Sequence, residues 1–344
     1  MNRENSSKLI GKWLKEGHRV LSFGFTMHSL SHVRIFAEIS AAEMQSITPK
    51  LQPFSIEQNE VLFYHGDKAS TLYIIEKGEV AVYANASGDK NIRLSTLGKG
   101  SLIGEMSLIS PSTRSATVKA TQKTNGWLLS CDAFDLLCRQ KSPAALKMLR
   151  NLAALLCERL RAMPFYGANP QEPLSKSWFA DGTPSTPDPQ YNDFLQQLDF
   201  FNGFLPNEIT TVMSKMKQWF VPRGEMLFED GAPGNSAFLI LRGGVEESII
   251  ENGKKHQLSI LGPGKIFGLL SLLDNKPRYA TCIARERCLL LEMPGESFHE
   301  LFNLGDDLAF RFLQAVDQTL SEALRRASQK HRTKIIITDL LSPH

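Results

Sequence analysis

Residues 97–120 read LGKGSLIGEMSLISPSTRSATVKA, and residues 261–284 read LGPGKIFGLLSLLDNKPRYATCIA. The two stretches align without a gap, so that Gly104 falls on Gly268. Both keep glycines in the same places, together with a central Ser-Leu pair and a later arginine. Agreement at this many fixed positions indicates that one structural unit occurs twice in the chain.

The match extends upstream of these stretches. Residues 60–82 read EVLFYHGDKASTLYIIEKGEVAV, and residues 225–247 read EMLFEDGAPGNSAFLILRGGVEE. The repeat period is too long for a solenoid, and 344 residues suit two domains of about 150 residues each. The chain is 42% apolar and 22% charged, which is typical of a globular protein rather than a disordered one.

The residue pattern within each copy predicts β-strands followed by a helix. Short runs such as LYIIEKGEVAVYA (72–84) combine β-branched and aromatic residues with glycine at the turns. Apolar residues then recur at helical spacing over 143–163 and 306–327. The fold class predicted is mainly β with flanking helices: two jelly-roll β-sandwich domains, each followed by a long helix.

The predicted domain organisation follows from the repeat and from a proline-rich interval of six prolines between the copies. The segments are a basic N-terminal helical segment (1–34), a first domain (35–163) in which the motif at 98–118 is intact, a proline-rich linker (164–191), a second domain (192–332) in which that motif is degenerate, and a C-terminal tail (333–344).

The segment 98–118 carries the chemistry of the first copy. Gly104 allows a tight turn and close approach of a ligand, and the residues from Glu105 onward can form one helical turn whose first N–H groups suit an anion. Arg114 lies in an otherwise apolar or small-residue segment, and its planar fork suits two phosphate oxygens. Glu105 would repel phosphate but accept hydroxyl groups. These residues predict a site for a singly charged phosphate fused to a ribose.

GEMSLISPSTRSATV (104–118) resembles the phosphate-binding cassette of the cyclic-nucleotide-binding domain family, whose members include the catabolite activator protein sensor domain and protein kinase A regulatory subunits. The resemblance covers most of both copies. It implies that Glu105 holds the ribose 2′-hydroxyl and Arg114 the cyclic phosphate. It also implies that Gly104, Met106 and Ser115 supply the remaining contacts.

The second copy departs from this pattern at two positions. Leu269 stands where the first copy has Glu105, and Tyr279 replaces a small serine. Leucine cannot accept the ribose hydroxyl, and leaving that hydroxyl unpaired costs about 1–3 kcal/mol. Gly268 and Arg278 are retained, so the sequence predicts at most a weak second site there. We interpret this copy as a degenerate sensor or docking module, and the retained Arg278 leaves weak binding, or a different anionic ligand, as the alternative.

Other functional classes find little support in the sequence. The eight histidines offer no pair at strand spacing for a cupin-type metal site, and no nucleophile–base grouping stands out, so we expect neither catalysis, nor a metal, nor a cofactor. Five cysteines without a CxxC pair indicate a reducing compartment. Residues 1–34 carry net charge +4 and residues 321–344 net +3, too little for a nucleic-acid-binding stripe.

The predicted function is that of a cytoplasmic cyclic-nucleotide receptor, favouring cAMP over cGMP, whose ligand-driven helix movement regulates an effector protein. The alternative is a ligand-independent scaffold or interaction protein. We expect no membrane span, because no apolar run reaches 18 residues. We also expect no helix-turn-helix, because too few residues follow the last predicted helix. A homodimer through the apolar helix stripes is left open.

Overall fold

The computed structural model describes residue 30 and residues 32–85, 91–109, 112–163, 183–251, 254–303 and 305–341. The chain divides into two compact units, one of residues up to Leu137 and the other from Cys138 onward. Nearly all of the predicted N-terminal segment 1–34, and most of the predicted linker 164–191, lie outside the described residues.

The first unit begins with a short helix, α1 (Ala41–Ile47), which Ser40 and Glu43 cap reciprocally. The strands that follow are β1 (Leu51–Ile56), β2 (Val61–Phe63), β3 (Lys68–Ala69), β4 (Thr71–Lys77), β5 (Val80–Asn85), β6 (Asn91–Leu97), β7 (Leu102–Ile103), β8 (Ser112–Thr113), β9 (Thr117–Ala120) and β10 (Thr124–Ser130). One turn of 3-10 helix, Glu105–Leu108, separates β7 from β8, and helix α2 (Cys131–Arg139) follows β10.

The described strands of the first unit form antiparallel sheets that face each other. One sheet has the order β1-β10-β4-β7 and the other the order β2-β9-β5-β6, while β3 pairs with β8. Buried side chains from both sheets, among them Phe63, Ile75 and Val118, share one apolar cluster. This cluster is the core of a β-sandwich, and the cassette runs from β7 in one sheet to β9 in the other.

The second unit contains helices α3 (Pro143–Arg161), α4 (Asn192–Leu195), α5 (Pro206–Ser214), α6 (Leu269–Asp274), α7 (Gly295–Asn303) and α8 (Asp307–Leu341). Its strands are β11 (Lys217–Val221), β12 (Met226–Phe228), β13 (Ser236–Arg242), β14 (Val245–Glu251), β15 (Lys254–Leu261), β16 (Ile266–Phe267), β17 (Thr281–Ala284) and β18 (Cys288–Pro294).

The sheets of the second unit repeat the strand order of the first. One has the order β11-β18-β13-β16 and the other β12-β17-β14-β15, and the sheets enclose a core that includes Phe228, Phe238 and Phe267. The predicted fold class, mainly β with flanking helices in two similar sandwiches, is confirmed. Each sandwich is followed in the chain by a long helix, α3 after the first and α8 after the second.

Helix α3 belongs to the second compact unit, although the sequence analysis drew the first domain as far as residue 163. Pro143 occupies its first turn, as predicted. Arg161 donates Nε and Nη2 to the two carboxylate oxygens of Asp274, at 2.5 and 3.0 Å. The Arg150 guanidinium donates to the Phe302 carbonyl at 2.9 Å. The apolar stripe of α3 thus packs against helices of the second unit.

Helix α8 continues to Leu341, through much of the predicted tail 333–344. Its early turns present buried residues such as Phe312 and Val316 to the rest of the second unit. Over the described residues, none of the helices combines the length and apolar character needed to span a bilayer.

Candidate functional site

The predicted turn forms at the start of the first cassette. Gly104 has φ +78° and precedes the 3-10 turn Glu105–Leu108. A Cβ atom at Gly104 would lie 2.0 Å from Nη1 of Arg114 and 3.0 Å from the carbonyl oxygen of Thr71. Only glycine fits, because the backbone there is left-handed and the arginine side chain fills the space where a Cβ would project.

Arg114 is buried beneath this turn, with 5% of its surface exposed. Nη2 donates to the carbonyl oxygen and to the hydroxyl of Thr71, each at 2.8 Å. The guanidinium carbon lies 4.2 Å from the ring centroid of Phe63, close enough for a cation–π contact. Nε and Nη1 have no hydrogen-bond partner in the part of the chain that the structure describes. The cation is therefore held in place while two of its donor atoms remain unmatched.

The electrostatic environment favours an acceptor beside this arginine. Burial lowers the pKa of Arg114, while the nearby groups of Tyr73 and Glu105 raise it. Burial is the larger effect, since the charged guanidinium is removed from water without a fully matching anion. Glu105, at the first position of the turn, is itself only 2% exposed. A buried carboxylate and a buried guanidinium thus lie within electrostatic range of each other.

The two remaining residues that were predicted to contact the ligand differ in their exposure to solvent. Met106 is half-buried, and Ser115 is exposed just before β9. Ser107, which the sequence analysis did not single out, donates its hydroxyl to the carbonyl oxygens of Gly104 and Thr71, at 2.5 and 3.1 Å. These bonds fix the turn to β4. Ser107 therefore supports the cassette from beneath.

The second copy repeats the arginine clamp with a different result. Gly268 has φ +82°, and Arg278 is 4% exposed, 4.1 Å from the ring centroid of Phe228. Nη1 of Arg278 donates to the Gly268 carbonyl at 2.9 Å, and Nη2 donates to the Ser236 hydroxyl at 3.3 Å. Nη1 is thus matched here, whereas Nη1 of Arg114 is not. Burial lowers the pKa of Arg278 to about 10.

Leu269 occupies the position of Glu105 at the start of α6 and is 4% exposed. Tyr279 donates its hydroxyl to Oε1 of Glu247 at 2.8 Å. The second cassette therefore contains an arginine and a tyrosine but lacks a carboxylate at the first position of its helical turn.

Sequence reasoning missed the residues that hold each arginine. The signal was present in the repeat: Phe63 corresponds to Phe228, and Thr71 to Ser236, at the same offset. The first pair keeps an aromatic ring and the second pair keeps a side-chain hydroxyl, in an alignment that is otherwise divergent. Only the tertiary structure shows that the ring and the hydroxyl converge on one guanidinium.

A scan against family models matches the cyclic nucleotide-binding domain at residues 53–141 and again at residues 218–304, together just over half of the chain. The chain belongs to the cyclic nucleotide-binding domain family. The predicted family is thereby confirmed, and so is its tandem occurrence. The second match includes the copy that lacks the carboxylate.

Curated relatives of this family member include the cAMP-dependent protein kinase regulatory subunits of Blastocladiella emersonii and Emericella nidulans. The first is 22% identical over 287 residues, covering 83% of this chain and 61% of the relative. The second is 23% identical over 292 residues, covering 82% and 60%. The chain thus spans about 60% of the length of these relatives. Among solved structures, the regulatory domain of Toxoplasma gondii protein kinase A with cAMP is 19% identical, with a TM-score of 0.32, and the match covers 82% of this chain and 92% of that one.

Proposed function

We propose that the first unit binds a cyclic nucleotide through Gly104, Glu105, Met106, Arg114 and Ser115. The observation that carries the proposal is the pair of unmatched donor atoms, Nε and Nη1, on a guanidinium that is 5% exposed. A buried donor without a partner costs about 1–3 kcal/mol, and more when it is charged. A phosphate oxygen would satisfy these donors and would neutralise the buried cation.

Glu105 can recognise a second group of the ligand. A carboxylate near the same guanidinium repels additional anionic oxygens, so its partner on the ligand should be a donor. A ribose hydroxyl next to a cyclic phosphate meets both requirements in one rigid molecule. A singly charged cyclic phosphate also suits a single buried arginine better than a dianionic phosphate does.

The names of two relatives support a choice of base. Both curated relatives are named as regulatory subunits of a cAMP-dependent kinase, and we therefore favour cAMP over cGMP for this chain. The second unit, with Gly268 and Arg278 but without the carboxylate, should bind cyclic nucleotide weakly at best. The proposed receptor thus has one tight nucleotide site per chain.

The proposed output is a movement of helix α3. Only three residues separate α2, at the end of the first unit, from Pro143 at the start of α3. At the other end of α3, Arg161 bonds to Asp274 and to the carbonyl of Pro277, directly before Arg278. A ligand-driven shift of the first unit would pull on α3 and, through Arg161, on the second cassette.

The proposed reader of that movement is an effector protein in the cytosol, and this chain would act by binding and not by catalysis. The names of the relatives suggest the catalytic subunit of a protein kinase as the class of effector. A ligand-independent scaffold remains the competing function. If the chain is a scaffold, a cyclic nucleotide should neither bind to it nor change the solvent exposure of α3.

The experiment that tests the proposal is a calorimetric titration of the full chain with cAMP, cGMP and adenosine. We expect one tight site for cAMP, weaker binding of cGMP, and much weaker binding of adenosine, which lacks the phosphate. If cAMP and adenosine bind equally well, Arg114 does not bind a phosphate. If none of the three ligands binds, the scaffold is the better description.

A further inference from the structure

Three turns meet at one end of the second sandwich, joining β11 to β12, β13 to β14 and β17 to β18. The Gly224 N–H donates to the Ala284 carbonyl at 2.7 Å, and the Arg285 N–H donates to the Gly244 carbonyl at 2.8 Å. These bonds hold the three turns side by side. Four exposed arginines lie on or next to the turns, and together we call them the arginine end: Arg223, Arg242, Arg285 and Arg287.

The first sandwich has the same three turns without this concentration of positive charge. The Asn59 N–H donates to the Ala120 carbonyl at 2.9 Å, and the Thr121 N–H donates to the Glu79 carbonyl at 3.0 Å. At the positions of the four arginines, the first copy has Gln58, Lys77, Thr121 and Lys123. The backbone of these turns therefore does not require arginine.

Three of the four arginines have no acceptor of their own. Nε of Arg285 lies 3.2 Å from a carboxylate oxygen of Glu246. Across the described residues, the side chains of Arg223, Arg242 and Arg287 make no hydrogen bond or ion pair. A single exposed cation without an acceptor is ordinary, but three on adjoining turns form a patch that an anionic partner can match.

An exposed aromatic ring lies in the same sheet as Arg242. Phe220 is 66% exposed and pairs with Leu289, which pairs on its other side with Arg242. Directly paired residues of antiparallel strands project from the same face of a sheet, so Phe220 and Arg242 flank Leu289. The corresponding row of the first copy is polar, and consists of Ser55, Asn125 and Lys77. In the second unit, an apolar side chain therefore adjoins the arginine end.

The composition of this surface favours an acidic protein segment as the partner. An arginine fork can bind a carboxylate through two parallel hydrogen bonds, and arginine and aromatic residues are enriched at protein interfaces. Glu225 and Glu286 lie on the same turns as the arginines, and they would repel the unbroken row of phosphates in a nucleic acid. A protein segment can place acids against the arginines and neutral residues against these glutamates. Phe220 would contact an apolar side chain of the same segment.

We propose that the arginine end and Phe220 form a docking surface for an acidic protein segment that contains one apolar residue. The carboxylates would pair with Arg223, Arg242 and Arg287, and the apolar residue would cover the Phe220 ring. Each exposed ion pair strengthens binding only about 1.4- to 5-fold, so several must act together, and added salt weakens all of them. The surface uses no side chain of either cassette, so its binding does not depend on the proposed nucleotide site.

The test measures the fluorescence anisotropy of a labelled peptide in which glutamate and serine alternate around one central leucine, titrated with the full chain at low ionic strength. We expect saturable binding of one peptide per chain, weakened by added salt. A peptide with lysine in place of glutamate should not bind. Failure of the acidic peptide to bind, or equal binding of the two peptides, would overturn the proposal.

Variants locate the peptide on this surface. The triple variant Arg223→Gln, Arg242→Gln and Arg287→Gln should weaken binding about 3- to 150-fold through loss of three exposed ion pairs. Phe220→Ser, which installs the residue of the first copy, should weaken binding about 10-fold through loss of apolar burial.

The matched control is the double variant Lys77→Gln with Lys123→Gln. It removes the cations from the corresponding turns of the first unit and should leave peptide binding unchanged. The surface is refuted if the folded triple variant binds the peptide as tightly as the parent, or if the control is the variant that loses binding.

Duplex DNA and vesicles that contain phosphatidylserine are the alternative anionic partners. We expect both to bind more weakly than the acidic peptide at the same salt concentration. Tighter binding of either one, lost in the triple variant, would assign the arginine end to a phosphate-bearing partner and overturn the proposal. So would self-association in sedimentation that the triple variant abolishes, because a second copy of the chain would then be the occupant.

Discussion

Replacing Arg114 by alanine should separate nucleotide binding from folding. In the parent, the guanidinium is 5% exposed and holds two donor atoms, Nε and Nη1, without protein partners. Truncating one member of a buried charge pair costs about 2–5 kcal/mol, which weakens cAMP binding roughly 30- to 5,000-fold. Without ligand, the same change loses the bonds to Thr71 and the contact with Phe63 but also removes a poorly solvated cation. These effects oppose each other, so stability should change far less than affinity.

Calorimetry with cAMP and adenosine, together with thermal unfolding of the ligand-free protein, measures both quantities. The parent should prefer cAMP strongly, and Arg114→Ala should bind the two ligands with similar, weak affinity. Arg278→Ala is the matched control, since that arginine has the same burial and the same aromatic contact. It should leave tight cAMP binding intact. The reasoning is refuted if Arg114→Ala retains the parent's cAMP affinity while folded, or if Arg278→Ala is the variant that loses it.

The remaining predictions concern the second unit and the coupling between the copies. The double variant Leu269→Glu with Tyr279→Ser should create a second cAMP site. This site should be weaker than the first because Arg278 must first release the Gly268 carbonyl. A stoichiometry that stays at one cAMP per chain would contradict this prediction. With cAMP bound, hydrogen exchange should slow over 98–118 and 143–163, and slowing confined to the first range would exclude the proposed movement of α3. Asp317 is fully buried without a hydrogen-bond partner among the described residues, and burial raises its pKa well above the usual range. Because the folded protein keeps this proton while the unfolded chain loses it, stability should fall by up to about 1.4 kcal/mol per pH unit above the ordinary aspartate pKa. Asp317→Asn should flatten that slope in chemical denaturation at pH 4 to 7, and an unaltered slope would show that Asp317 is ionised.

The fold was predictable because the repeat supplied two readings of the same pattern. Strands with glycine turns, the left-handed Gly104 and the turn at Glu105–Leu108 all follow from local residue preferences, and the structure has each of them. The sequence also indicated that Arg114 needs an anionic partner, because its neighbours in sequence are apolar or small.

What the sequence did not reveal depends on contacts between distant strands. Thr71 and Phe63 meet Arg114 across intervals of more than forty residues, and a threonine or a phenylalanine in a strand has many ordinary explanations. Glu247 was not singled out in the sequence, and only the structure shows that it pairs with Cys282, is buried and accepts a hydrogen bond from Tyr279. The side on which α3 packs was equally hidden, because an apolar stripe does not specify its partner.

The two copies show why the arginine alone is a weak marker of nucleotide binding in this fold. Arg278 retains the ring, the hydroxyl and the glycine that surround Arg114, and its Nε is likewise unmatched among the described residues, yet its Nη1 donates to the Gly268 carbonyl, whereas Nη1 of Arg114 is unmatched. A guanidinium bonded in this way stabilises its own cassette, and that role can preserve it after a nucleotide site is lost. The two copies differ at the start of the turn, where the buried residue is Glu105 in the first unit and Leu269 in the second. The residue at that position, rather than the arginine, should therefore decide which copy binds a cyclic nucleotide.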